Sequence, residues 1–138
     1  MEETIVKKVS LEQVQKNMMD YFDTHDVKYV AEDATFIHLG TGEETKGREA
    51  IGGMLHYIYH VAFDARAEFV NHIITEKHAM VEGRFKGKHI AEFAGLPATN
   101  KEVDVPLCVT YDLENGLIKT ARVYMMGDVL FRQLTGNG

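Results

Sequence analysis

The hydrophobic period of this chain changes at about residue 64, and that change limits its possible folds more than any other feature. Upstream, Leu11, Val14, Met18, Tyr21 and Phe22 recur at helical spacing, as do Ile51, Met54, Leu55, Ile58 and Val61. Downstream the period is two, and residues 65–75, 78–86, 88–94, 102–112 and 117–126 read as strands. Helices followed by long strands joined through tight turns describe an α+β domain, a sheet with helices closing one face.

Local signals set the expected boundaries. Ser10 followed by Gln13 reads as a capping box and starts a helix over 10–23. Val27, Val30 and Ala31 suggest a short helical turn over 27–32, and 34–39 reads as a strand running into the loop Gly40-Thr41-Gly42-Glu43-Glu44. A third helix is expected over 48–60. Glu76-Lys77, Gly87, Gly95-Leu96-Pro97 and Glu114-Asn115-Gly116 punctuate the strands, and Asn-Gly is a strong hairpin signal. Pro106 cannot donate to a ladder, so it marks a bulge or an edge.

With 138 residues the chain is expected to form one domain over 1–138, large enough for one core and one pocket. The formal charge of −6 opposes a phosphate backbone, so no nucleic-acid partner is expected. Lys7-Lys8 and Lys86-Gly87-Lys88 read as solvated surface. The single cysteine, Cys108, excludes an intrachain disulfide and a cysteine zinc cluster, which makes the cytoplasm the expected compartment. No apolar run follows the first residues, so neither a signal peptide nor a membrane partner is expected.

Several short motifs resemble one family. Phe36-Ile37-His38, Gly47-Arg48-Glu49-Ala50-Ile51, the run from His89 to Thr99, Asn115-Gly116-Leu117-Ile118 and Gln133-Leu134 are similar, in order, to segments of the SnoaL-like polyketide cyclases. The resemblance implies a nuclear-transport-factor-2-like fold, in which a curved antiparallel sheet with three N-terminal or inserted helices forms a conical barrel. It also implies an apolar small-molecule ligand, aldol-type acid-base catalysis on a carbonyl compound without metal or organic cofactor, and a homodimer. Val103, Val105, Leu107 and Val109 would permit that dimer on the open face of the sheet. Aligned without a gap, the family's catalytic aspartate falls on Met126, and Ala91 and Asn100 stand where the family has glycines.

The nearest carboxylate is Asp128, which would either exchange the proton or cap the last helix. His38 and His89, within family-like motifs, are candidate bases or structural imidazoles. Arg122 would hold a developing oxyanion or pair with an acid. Strand alternation puts Arg122, Tyr124 and Met126 on the face of Ile118, expected to line the cavity. Tyr21, Phe36, Met54, Tyr124 and Met126 are the expected ligand contacts, and Met18, Met19 and Met125 are expected near them. His56 and His60 share a helix face but leave a four-coordinate site incomplete, so no metal is expected. Phosphate loops and nucleophile elbows are absent from the sequence, and the alternative to catalysis is a noncatalytic binding or dimerisation domain.

Overall fold

The computed structural model describes residues 9–136. Lys7 and Lys8 lie outside the described residues. Helix α1 is Leu11–Thr24, and its N-cap Ser10 accepts a hydrogen bond from the Gln13 amide at 3.1 Å. After a 3-10 turn over Val27–Tyr29 the chain enters β1, Val30–His38, earlier than its helical spacing suggests. Strand β2, Glu43–Lys46, begins inside the expected loop, at Glu43 and Glu44, and pairs antiparallel with β1.

Helix α2, Arg48–His56, continues into a π-helical segment, Tyr57–Ala62, rather than running as one α-helix to residue 60. That segment carries aromatic and β-branched side chains that form α-helix poorly. Its end is held where the Ala62 carbonyl accepts from both the Ile90 and Ala91 amides.

The remaining strands are β3 (Phe63–Ile74), β4 (His78–His89), β5 (Glu102–Glu114) and β6 (Leu117–Met125), and helix α3, Gly127–Thr135, follows them. The sheet order is β2-β1-β6-β5-β4-β3. Every pair is antiparallel except β1 with β6, so the sheet is mixed. A parallel neighbour needs a long crossover, and here α2 and the whole meander lie between the two strands. Asn115 and Gly116 both have positive φ, 52° and 77°, as the expected tight hairpin requires.

Gly87 sits inside β4 rather than between two strands, and 88–94 leaves the sheet after His89. Its lack of a side chain serves close approach. A Cβ at Gly87 would stand 2.4 Å from the Asp64 carbonyl oxygen, and one at Gly83 would stand 2.5 Å from that of Glu68. Both glycines let β3 fold close over β4, which helps to curve the sheet. A register shift beside Val70 adds a bulge to the same strand pair.

Pro106 lies where β5 has outrun its neighbour, since β6 ends opposite Leu107. Beyond that point a side chain takes the place of a strand. The Gln133 amide accepts from the Asp104 N–H at 2.8 Å and donates to the Asp104 carbonyl at 3.0 Å, tying α3 to the free edge of β5. The missing Pro106 N–H therefore breaks no ladder with β6.

Two apolar clusters fill the concave side. One joins α1 and α2 to the sheet through Met18, Tyr21, Phe36, Ile51 and Ile118, and the other packs α3 on Phe63, Phe85 and Val105. Val103, Val105 and Val109 are buried in these clusters, which corrects their assignment to the open face. The outward residues of β5 are Asp104, Pro106, Cys108, Thr110 and Asp112, with the parity opposite to those valines. Among the described residues no helix is long and apolar enough to cross a membrane.

Candidate active site

The concave face of the sheet, α1, α2 and the π segment line a partly open cavity of about 80 Å³. Helix α1 contributes Tyr21, Phe22 and His25 to its wall, and β1 contributes Phe36 and His38. Met54, Leu55, Ile58 and Tyr59 close it from the other helical segment, and the sheet supplies Val81, Phe85, Val109 and Tyr111 among others. None of its described lining residues is Asp, Glu, Lys or Arg.

The polar atoms of this wall belong to imidazoles and phenols. Burial raises Tyr21 and Tyr111 well above the ordinary phenol value, with neighbouring tyrosines adding to the effect, and burial pushes Tyr59 up to about 12. All three stay protonated near neutrality and are available as donors. His25 is pushed down to about 4, first by burial and then by His60, with Asp23 opposing. Burial also lowers His38, against the attraction of Glu43.

His25 is held in an unusual way. It ends α1 in the left-handed conformation at φ 55°, its N–H donating to the Tyr21 carbonyl at 2.7 Å. Its ring stacks on Tyr59 at 4.6 Å between centroids and meets the edge of Tyr21 at 5.4 Å. Tyr21 in turn lies edge-on to Tyr111 at 6.1 Å. This relay of rings joins α1, the π segment and β5 around the cavity.

The residues singled out from sequence fall into three places. Tyr21, Phe36, His38 and Met54 line the cavity, together with Met125, while Met18 is buried core and Met19 is exposed on α1. Arg122, Tyr124 and Met126 are on the opposite, outer side of the sheet. This corrects the expected face of β6, and the cause is a bulge. Leu113 pairs with Ile118 but Asp112 pairs with Thr120, so Lys119 is an extra residue that reverses the alternation. Ile118, Ala121, Val123 and Met125 consequently point inward.

On that outer side the Arg122 guanidinium pairs with Asp112 at 3.1 Å, and Asp112 also meets His78 at 3.3 Å. The bond from Arg122 holds the Asp112 carboxyl below its usual range. Tyr124 and Met126 border a shallow depression with Val70, Met80 and Cys108.

Asp128 is neither in the cavity lining nor the N-cap. Met126 occupies the cap position, and Asp128 stands one residue inside the helix, its exposed carboxylate 3.5 Å from Arg132. His89 is fully buried at the end of β4, away from the cavity lining, against Phe63. Its Nδ1 accepts from the Thr99 N–H at 3.2 Å and lies 3.0 Å from the Thr99 hydroxyl, and its Nε2 has no hydrogen-bond partner. It anchors the turn-rich segment that returns the chain to β5.

His25, Tyr59 and Tyr111 were not singled out from sequence. Tyr21 and His25 are four apart, which places them on one helix face, and Tyr111 shares the parity of Val109. Among the described residues, no group of three His, Cys, Asp or Glu side chains is arranged to hold a metal.

A model of the SnoaL-like domain matches residues 16–121. No functionally curated protein matches the sequence. The structure is similar to that of a protein assigned as a SnoaL-like polyketide cyclase from Jannaschia sp. CCS1, with a TM-score of 0.81 at 15% identity over 94% of this chain and 97% of the other. A phenazine biosynthesis-related protein from Pseudomonas aeruginosa gives 0.76 at 18% identity, over 90% and 86%. IdmH, assigned as a polyketide cyclase from Streptomyces antibioticus, gives 0.71 at 18% identity, over 92% and 99%. At these identities the likeness carries the fold, a nuclear-transport-factor-2-like one.

Proposed function

This chain belongs to the SnoaL-like domain family, and on that premise we propose that it acts on a small apolar carbonyl compound by acid-base catalysis with imidazole in place of the family carboxylate. The observation that carries the reading is the composition of the cavity wall: two imidazoles, three phenols and no acid among its described residues. His38, lowered by burial, is neutral at pH 7 and so free to accept a proton. It would take a proton from the carbon beside the carbonyl, while a phenol of Tyr21, Tyr59 or Tyr111 donates to the enolate oxygen. Return of the imidazole's proton at a different carbon, with the phenol keeping its own, gives isomerisation; attack of the enolate on a second carbonyl of the same molecule, with the imidazolium protonating the new alkoxide, gives ring closure. The reading needs no metal or organic cofactor.

The volume narrows the substrate. A cavity of about 80 Å³ is roughly half the size of the engineered ~150 Å³ cavity that accepts benzene. A short chain is therefore favoured, and a six-membered ring enters only where the wall gives way, for which the unbranched Met54 is suited. Cyclohexanone is a suitable probe. In D₂O its α-hydrogens should exchange faster with protein than with buffer, and His38→Gln should remove most of that acceleration. Exchange unaffected by His38→Gln would defeat the assignment.

The noncatalytic reading is favoured by one observation, the absence of a carboxylate from the described wall. It predicts calorimetric binding of cyclohexanone without accelerated exchange. In either case we propose a homodimer through the outer face of the sheet, using the exposed Val70, Ile73, Tyr124 and Met126. The site belongs to a chain proposed to work in the cytoplasm.

A further inference from the structure

Beside this cavity lies a second, more open cleft of about 230 Å³, lined by Thr24, Val27, Gly52, His56 and His60. His25, Leu55 and Tyr59 belong to the walls of both spaces, so the two adjoin along these side chains. The two spaces differ in chemistry: the inner one is apolar, whereas the outer one gathers three imidazoles and, among its described lining residues, no acid.

We propose that the cleft is a subsite for an anionic head group, and that the natural ligand is a small carboxylic acid whose apolar part enters the inner cavity. The inference rests on the reading of the inner cavity as a ligand site and names the class of compound that it takes. Three features carry it. The His56 and His60 rings are 5.5 Å apart on exposed helical positions, so both can reach one bound group. An imidazole has at least one N–H donor in either protonation state, and an anion beside it favours the form with two. The shared wall is fixed by the helix end at His25 on one side and the π-helical segment at Tyr59 on the other, and π segments are frequent at functional sites.

A carboxylate suits this cleft better than a metal, because the described imidazoles are not arranged as a metal-binding group. The charge facing His25 from its own helix is Asp23, which lies outside the cleft lining. The remaining wall offers a hydroxyl at Thr24 and apolar surface at Val27 and Leu55.

Hexanoate and hexanol provide the test, since they share a chain and differ in the head group. Titrated calorimetrically into the full chain, hexanoate should bind about tenfold tighter than hexanol, as expected for a charge-assisted contact. The double variant His56→Gln/His60→Gln should bring the ratio near one, and His56→Lys should raise it, with folding of each checked by circular dichroism. Equal affinities in the native chain, or a ratio that survives the double variant, would overturn the subsite while leaving the cavity reading intact. Failure of both compounds to bind would overturn both readings.

Discussion

Asp128 and Arg132 face each other across one turn of α3, with 3.5 Å between carboxylate and guanidinium, on the solvent side of the helix. The carboxylate nearest in sequence to the family's catalytic position is thus occupied in a surface pair and is absent from the cavity wall. Asp128→Asn should leave exchange of cyclohexanone α-hydrogens within twofold of the native rate, because exposed pairs of this spacing carry only local helix stability. Its cost in urea denaturation should be under about 1 kcal/mol. A large loss of exchange with an intact fold would return Asp128 to the chemistry.

The close approach of β3 to β4 makes a sharper prediction for stability. Gly83→Ala and Gly87→Ala each place a methyl group within 2.5 Å of backbone atoms of the neighbouring strand. Each should cost about 1–3 kcal/mol or more, read as a lower denaturation midpoint in urea. A neutral result at both positions would mean that the curvature is not fixed there.

Much of the fold could be read from the period of the apolar residues, because long runs with one buried face leave few alternatives. The faces were harder. Ile118 does point inward, but the extra residue Lys119 reverses everything after it, and a bulge leaves no mark in alternation until the partner strand is known. The valines of β5 were legible as apolar, yet only the sheet order shows which side they cover. His25 escaped notice because its importance arises from contact with Tyr59, more than thirty residues away in sequence.

Acid should weaken the fold through His25. Its folded value near 4 lies below the ordinary histidine value of 6.5, because burial disfavours the charged ring. Between those values the unfolded chain binds the proton more readily, so stability falls as pH drops from 6.5 towards 4, and this contribution levels off below. The loss from this group is on the order of 3 kcal/mol. The lowered His38 adds a loss of the same sign. In urea titrations across this range, His25→Gln should flatten the profile, and an unchanged slope would contradict the burial argument.

The proposed dimer depends on the outer face. Val70 is 64% exposed and Ile73 57%, both on β3 where it leaves the charged rows around Lys86. Light scattering should give twice the chain mass for the native protein, and Val70→Asp with Ile73→Asp should give the monomer while the circular dichroism spectrum is kept. A native monomer would remove this proposal without touching the cavity.

The proposed chemistry stands on the inner cavity being the small-molecule site. The most direct measurement is a methyl-labelled NMR titration with cyclohexanone. Shifts are expected at Met54, Val81, Val109 and Val123, which line the cavity and not the outer depression. Shifts confined to Val70, Met80 and Met126 on the outer face, or no saturable shift at all, would contradict it.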